Sequence, residues 1–172
     1  MGLFTGARLN ELCERKLADV EPVRGGYILH IRNAKTKSGI RSLPIYHKIP
    51  VAILRERIGK RKDPTAQLFA EFIPGGPDKR LSWQVQKALG RYRDKVGLGT
   101  ETDFHSTRRN FAQRMKALKV FPLAAMRYVG HKPRDITFGL YSQVTAESLR
   151  EVARKVAYPK KIEKAFKVAL GL

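Results

Sequence analysis

Residues 27–32, Tyr-Ile-Leu-His-Ile-Arg, and residues 40–45, Ile-Arg-Ser-Leu-Pro-Ile, are the two segments that decide the fold class. Both are short and largely apolar, which is typical of strands in a sheet. Ser38-Gly39 lies between them and supplies turn chemistry, so we expect an antiparallel hairpin. Pro44 cannot donate a backbone hydrogen bond, which places the second strand at a sheet edge or ends it there.

The rest of the chain has mostly helical patterns. Leu9, Leu12 and Leu17 recur at roughly helical spacing, and we expect this first helix to end at Val20 to Pro22. Further helices are predicted over residues 48–60, 82–96, 104–119, 122–129 and 145–156, with a Pro/Gly-rich loop at 73–78 and a helical tail from residue 159. The predicted fold class is mainly α with a small antiparallel β-sheet (α+β).

The net charge is the dominant feature of the composition. The 172 residues include 35 Lys plus Arg against 15 Asp plus Glu, a formal charge of +20. Nucleic acid is the first candidate partner, because neutralising phosphates releases counterions. An anionic membrane is the second, but no apolar stretch of about 20 residues and no signal peptide is present. Cys13 is the single cysteine, which excludes an intrachain disulfide, and its simplest role is that of a small apolar group.

Residues 102–108, Thr-Asp-Phe-His-Ser-Thr-Arg, form the sharpest local motif. Thr102 or Asp103 can cap a helix start, after which His105 and Arg108 share a face of the first turn. The free N–H groups of that turn also favour an anion. These groups predict a phosphate pocket, and the alternative is an exposed basic helix.

Two basic residues in the N-terminal part are further candidates. Arg8 follows Thr5-Gly6 at a helix start, and its planar guanidinium suits two phosphate oxygens. Lys37 lies next to the hairpin tip, from which a long amine can enter a DNA groove. The alternatives are a surface arginine and a solvated turn lysine.

Two C-terminal residues complete the set. His131 follows an apolar helix and Gly130, where a histidine can also do no more than bond a backbone carbonyl. Tyr141 comes ten residues later. Most tyrosines are packing residues, but a tyrosine can also act as a nucleophile. Arginines and histidines that polarise a phosphodiester, a lysine that protonates the leaving oxygen and a tyrosine nucleophile together predict DNA strand cleavage.

The order of these motifs resembles the catalytic domain of a tyrosine recombinase of the phage integrase family. The family's TG-x-R-x-x-E-L box is similar to residues 5–12, and its lysine hairpin is similar to residues 35–45. Its H-x-x-R box is similar to residues 105–108, its G-H step to residues 130–131 and its nucleophile to Tyr141 in Leu-Tyr-Ser-Gln-Val. The resemblance covers nearly the whole chain and implies a fold like that catalytic domain.

Three departures from the family pattern carry expectations of their own. Thr107 replaces the usual leucine, which should alter packing more than chemistry. The hairpin offers both Lys35 and Lys37 as the catalytic lysine, and we favour Lys37 because it is nearer the tip. We expect residues 1–172 to form a single catalytic domain that lacks its N-terminal start and the family's N-terminal core-binding domain, as in an excised fragment or a truncated gene product.

The resemblance implies a mechanism. Tyr141 attacks the scissile phosphate and forms a 3′-phosphotyrosine, which frees a 5′-hydroxyl. Arg8, Arg108 and His131 bind the non-bridging oxygens, while His105 assists proton transfer from the tyrosine. Lys37 protonates the departing oxygen as a general acid. We expect no cofactor and no metal in this reaction.

The resemblance also implies partners. Double-stranded DNA is the substrate, and four copies of the chain are expected to assemble on paired sites. In the absence of DNA a monomer is possible. Accessory DNA-bending proteins are further expected partners, and no membrane is. The apolar tail positions Ile162, Phe166 and Ala169 would dock into a neighbouring catalytic domain or fold back on their own core. We expect a cytoplasmic, nucleoid-associated bacterial protein encoded by a prophage or mobile element.

Other functions fit parts of the same evidence. A type IB topoisomerase or a telomere-resolving enzyme shares the attack chemistry. A non-catalytic fragment that binds duplex DNA, or a basic RNA-binding or ribosomal protein, would share the charge.

Overall fold

The computed structural model describes residues 1–34, 37–131 and 144–172, with only the backbone of Lys37. Of the residues predicted to form the site, Tyr141 lies outside the described residues, as does Lys35. The other predicted site residues, Arg8, His105, Arg108 and His131, are described in full.

Eight α-helices are present in these ranges, and the predicted fold class, mainly α with a small antiparallel sheet, is confirmed. The five helices predicted between residues 48 and 156 all form, with ends within two residues of the predicted ones. None of the described helices is long and apolar enough to cross a membrane. The helices are α1 (Gly2–Thr5), α2 (Leu9–Cys13), α3 (Lys48–Ile58), α4 (Trp83–Lys95), α5 (Phe104–Ala117), α6 (Pro122–Val129), α7 (Ala146–Lys155) and α8 (Lys160–Leu170).

Local caps explain where several of these helices begin and end. The Thr145 hydroxyl accepts a hydrogen bond from the Ser148 amide at the start of α7. Pro122 occupies the first turn of α6, where its missing N–H donor costs nothing. Gly130 ends α6 with a φ of 76°, in the left-handed region that favours glycine.

The sheet contains three antiparallel strands in the order β1 (Val20–Val23), β2 (Gly26–Ile31) and β3 (Arg41–Ile45). Leu29 is the residue that sets the register, because it pairs with Val20 on one side and Leu43 on the other. Pro44 lies in β3, which is an edge strand, so the expectation of an edge position is confirmed.

The first helix and the first strand differ from the sequence-based expectation. The helix predicted to run from Leu9 towards Val20 ends at Cys13, and a 3₁₀ turn follows at Leu17–Asp19. Residues 20–22, expected only to end that helix, instead open β1. Pro22 lowers the strand propensity of this segment, but an edge strand tolerates the missing donor. Pairing with β2 therefore decides its conformation.

The connection between β2 and β3 is longer than a tight hairpin. It spans residues 32–40, and its described part contains a 3₁₀ turn at Lys37–Gly39, which includes the predicted turn residues Ser38 and Gly39. The turn is held from inside, because Arg41 Nη1 donates to the Gly39 carbonyl at 2.6 Å. The backbone of Lys37 is therefore tied to the start of β3.

The core lies between the inner face of the sheet and helices α5, α6 and α7. Tyr128 of α6 stacks on Phe111 of α5, with 5.5 Å between ring centroids. The Tyr128 hydroxyl donates to the Pro44 carbonyl at 2.7 Å and so joins α6 to the sheet edge. Cys13 is buried as expected, and burial raises the pKa of its thiol to about 12. The buried apolar residues of the inner sheet face are Leu29, Ile31, Leu43 and Ile45.

The tail folds back on its own chain, which is one of the two arrangements expected for it. Phe166 of α8 meets Phe4 of α1 edge to face at 5.2 Å between centroids. Glu163 Oε1 is hydrogen-bonded to His47 Nε2 at 3.0 Å, and it also accepts from the Tyr158 amide. These contacts place α8 against α1 and the start of α3.

Candidate functional site

A cavity of about 450 Å³ brings together side chains that are far apart in the sequence. Arg8, at the N-terminal end of α2, lines one side of it. His105 and Arg108, from the first two turns of α5, line another, while Arg93 of α4 completes the rim. Three of the predicted site residues therefore meet at one cavity.

Arg108 is the unusual group of this cavity. The residue is only 3% exposed, and its Nη1 donates to the Gly6 carbonyl at 2.6 Å. Its Nε and Nη2 atoms are buried and have no hydrogen-bond partner among the described residues. Burial, followed by the positive charges of Arg8 and Arg41, lowers the pKa of Arg108 to about 10. The guanidinium is therefore charged at neutral pH and has two unused donors.

Gly6 is required for this arrangement. Its φ of 60° lies in the left-handed region, and an added Cβ would lie 2.8 Å from the Phe111 ring. The close approach brings its carbonyl to Arg108. The glycine of the Thr5-Gly6 pair is therefore needed because its carbonyl oxygen accepts from Arg108 of α5 and orients that side chain.

Of the two predicted N-cap residues, Thr102 and Asp103, it is Asp103 that caps α5. Its Oδ1 accepts from the Ser106 amide at 2.9 Å, and its side chain also lines the cavity. The expectation that free N–H groups of this turn would help to hold an anion is wrong for that amide, because the Asp103 carboxylate already occupies it. Thr107, which replaces a leucine, donates to the Phe104 carbonyl at 2.8 Å, within the contact between α1 and α5.

Glu11 is a site residue whose role the sequence did not predict. Its carboxylate accepts from Arg8 Nη1 at 2.7 Å and from the Arg8 amide at 2.9 Å. It also accepts two bonds from Arg41, at 3.2 and 2.9 Å. Burial opposes ionisation of Glu11, but the hydrogen bonds and charge of Arg41, with the bonds from Arg8, outweigh it and lower the pKa to about 2. Glu11 is therefore an anion shared by two arginines.

Arg41 is the second residue missed from the sequence. It lies on the inner face of β3, in line with the buried residues Leu43 and Ile45. Because alternate residues of a strand share a face, a charged residue at this position predicts a buried ion with partners elsewhere. That pattern was the available signal for it.

His131 follows the αL cap of α6 and is exposed. Its backbone amide donates to the Met126 carbonyl at 2.9 Å, so its main chain completes the helix end. Partial burial, and then the positive charges of Arg108, Arg8 and His105, hold the pKa of His131 below its ordinary value. His131 therefore lies within the electrostatic influence of the arginines at the cavity.

The arrangement can hold an anion. Arg8, Arg93, Arg108 and His105 line the cavity, and Asp103 is the only carboxylate among its lining residues in the part of the chain that is described. His131 lines a different cavity, beside Phe111 and Met126. Glu11 is already paired with Arg8 and Arg41. In residues 1–34, 37–131 and 144–172, no group of three or more His, Cys, Asp or Glu side chains is placed to bind a metal ion.

Comparison with known proteins identifies relatives of the chain. The chain is 31% identical to the tyrosine recombinase XerA of Thermococcus kodakarensis over 158 residues, which cover 91% of this chain and 53% of that protein. It is 27% identical to the XerA of Pyrococcus furiosus, over 88% of this chain and 50% of that one. The chain thus spans about half the length of these relatives.

A solved structure and a family model give the broader relationship. The fold is similar to that of the Tn1549 transposon integrase in complex with circular intermediate DNA, with a TM-score of 0.55 at 23% identity. The likeness covers 91% of this chain and 57% of that one. The model of the phage integrase family matches residues 2–148, which is most of the chain. The chain therefore belongs to the phage integrase family.

Proposed function

We propose that this chain is the catalytic part of a site-specific tyrosine recombinase, which cleaves and rejoins duplex DNA through a 3′-phosphotyrosine. The observation that carries the proposal is the buried Arg108, whose Nε and Nη2 have no partner among the described residues. Arg8 and His105 line the same cavity, and His131 lies near enough for the charge of Arg108 to lower its pKa. Such a group needs a multidentate anion, and the scissile phosphodiester supplies one.

Energetics support an anion at this place. A buried donor without a partner costs about 1–3 kcal/mol, and more when the group is charged. The lowered pKa of Arg108 reflects the same cost, because burial and the nearby Arg8 disfavour its charge. A phosphate would accept from the two unused nitrogens and neutralise the repulsion, which repays that cost on binding. The site is therefore preorganised for substrate.

Duplex DNA is the proposed source of the phosphate. The charge of +20 favours a polyanion over a small phosphorylated molecule, because many phosphates can be neutralised at once. Relatives are named tyrosine recombinases, and the Tn1549 integrase was solved with DNA. With a DNA substrate, we expect the protein to act at the nucleoid.

The proposed reaction forms one bond as it breaks another. The Tyr141 oxygen attacks phosphorus while His105 assists removal of the phenolic proton, and the bond to the 5′-oxygen breaks. Lys37 donates a proton to that oxygen, which leaves as a 5′-hydroxyl. Arg8, Arg108 and His131 hold the non-bridging oxygens as negative charge builds up. Rejoining is the reverse, with a 5′-hydroxyl as nucleophile, and we propose that it proceeds without a metal ion.

Assembly belongs to the same proposal. Residues 1–172 would form the catalytic domain, and four copies would act on paired DNA sites, with accessory DNA-bending proteins where the sites require them. Exposed apolar residues on the outer side of α8 and beyond, Val168 and Leu172, offer contacts for a neighbouring copy. Sedimentation of the chain with and without paired sites tests this, and a complex that contains one copy per pair would contradict it.

The test of the reaction is a nicked half-site substrate whose cleaved end diffuses away, so that the covalent adduct accumulates. The wild-type chain should form a DNA adduct that survives SDS, and Tyr141→Phe should form none. Tyr92→Phe, which alters an exposed tyrosine of α4, should behave as wild type. Arg108→Gln should slow adduct formation by about 10²–10³-fold, as expected for the loss of one preorganised donor. Arg150→Gln, an exposed arginine paired with Glu147, should not.

The outcomes separate the alternatives. Tight DNA binding without an adduct would favour a non-catalytic DNA-binding protein over a recombinase. Relaxation of supercoiled DNA without strand exchange would favour a type IB topoisomerase. EDTA inhibition reversed by Mg²⁺ would contradict the proposed metal independence.

A further inference from the structure

Arg41 has no free donor nitrogen, in contrast to Arg108. Its Nε donates to the Tyr128 carbonyl at 2.8 Å. Its Nη1 donates to the Gly39 carbonyl and to Glu11, and its Nη2 also donates to Glu11 at 2.9 Å. The side chain is 3% exposed. All three nitrogens are therefore occupied inside the protein, which leaves Arg41 unsuited to binding substrate directly.

Each partner of Arg41 belongs to a different segment of the proposed site. Glu11 also binds Arg8, at 2.7 Å. Gly39 ends the 3₁₀ turn that begins at Lys37. Tyr128 lies in the last turn of α6, two residues before Gly130 of the Gly-His step. One side chain thus joins three segments that the sequence separates by 30 and 87 positions.

The end of α6, at Tyr128 and Gly130, packs against Arg41 as well as accepting a hydrogen bond from it. A Cβ added at Gly130 would lie 2.9 Å from Arg41 Nη1 and 3.1 Å from the Ser38 carbonyl oxygen. The backbone that leads to His131 therefore lies directly against the guanidinium and against the turn that carries Lys37. Only a residue without a side chain allows this approach.

We propose that Arg41 is a positioning residue that sets Arg8, the Lys37 turn and His131 relative to one another. The inference rests on the proposed function for its catalytic consequence, but the geometry stands without it. The planar fork of an arginine is required, because a lysine ammonium cannot reach the carboxylate and two carbonyls in these directions at once. Arg41 touches no substrate and acts through the residues it holds.

Three variants separate positioning from stability. Arg41→Met keeps an unbranched chain without donors, and Arg41→Lys keeps the charge without the fork. In Arg41→Met the buried Glu11 carboxylate keeps Arg8 as its partner but loses Arg41. Combining Arg41→Met with Glu11→Gln removes that carboxylate, so the double variant should recover part of the stability that Arg41→Met loses. Arg32→Met is the control, because Arg32 lies in the same connection but is exposed, and its ion pair among the described residues is with Asp19.

The first readout is single-turnover cleavage at saturating DNA. Arg41→Met and Arg41→Lys should each cleave about 10²–10³-fold more slowly than wild type, while DNA affinity changes by less than about threefold. A substrate with sulfur at the bridging 5′ position should recover part of the loss, because a thiolate leaves without protonation and no longer needs Lys37. The double variant should regain part of the stability that Arg41→Met loses, but none of the cleavage rate. Arg32→Met should match wild type on both substrates.

The second readout needs no activity. Amide hydrogen exchange in the free protein should become faster at residues 37–41 and 128–131 in Arg41→Met, with α8 unchanged. The exchange experiment separates the two proposals. A wild-type chain that forms no DNA adduct would refute the recombinase function, whereas the role of Arg41 would still be decided by the exchange rates. Unchanged exchange in both segments would overturn the inference. So would wild-type cleavage by Arg41→Lys, a rate restored in the double variant, or equal slowing on oxygen and sulfur substrates.

Discussion

Replacing Glu11 with glutamine tests the ion network beneath the cavity. The carboxylate is 6% exposed and is shared by Arg8 and Arg41. Its pKa is lowered from 4.5 to about 2, and such a shift corresponds to roughly 3 kcal/mol of folding free energy at neutral pH. Because the folded pKa is depressed, this stability is present above pH 4.5 and is lost as the pH falls towards 2.

Glutamine keeps the shape of the side chain but turns one oxygen into a donor that faces arginine donors. Glu11→Gln should therefore lower the free energy of unfolding at pH 7 by roughly 3 kcal/mol. The difference from wild type should shrink as the pH falls from 4.5 to 2. Urea denaturation over a pH series measures both, and Glu147→Gln, which alters an exposed carboxylate, should show little change. A loss under about 1 kcal/mol, or one equal at pH 7 and pH 2, would refute the reasoning.

Three further perturbations follow from other contacts. Tyr128→Phe leaves a buried strand carbonyl without its donor and should cost about 1–2 kcal/mol in urea denaturation, whereas wild-type stability would show that this bond is not needed. Gly130→Ala should lower the free energy of unfolding more than Gly97→Ala, because both glycines have a positive φ but only a Cβ at residue 130 would contact Arg41. Equal losses of stability would show that this contact is not the cause. A bound phosphate should raise the lowered pKa of His131, so DNA affinity should rise as the pH falls through 6.5. If DNA affinity depends on pH in the same way in His131→Gln, the prediction is contradicted.

Helices were predictable from the sequence because their signals are local. The bounds of α6 follow from Pro122 at its start and Gly130 at its end, and Asp103 fixes the start of α5. β1 was not predictable in this way, since Pro22 weakens its strand pattern and the pairing with β2 stabilises it only in the folded chain.

The candidate site was predictable in part for the same reason. Arg8, His105, Arg108 and His131 were identified by their motifs, and the structure brings the first three to one cavity. His131 lines a different cavity, although the charges of Arg108 and Arg8 still lower its pKa. Their roles, and those of Lys37 and Tyr141, remain predictions. The contact of Glu11 with Arg41 spans 30 positions and leaves no periodic trace. Only the charge on the apolar face of β3 pointed to it.

Mapping the DNA attachment site is the most direct test of the central claim. After trapping on the nicked half-site, protease digestion and mass spectrometry of the peptide–nucleotide adduct would locate the bond. The account predicts a nucleotide 3′-phosphate on Tyr141, and none in Arg108→Gln over the same time. Attachment at another residue, or through a 5′-phosphate, would contradict it.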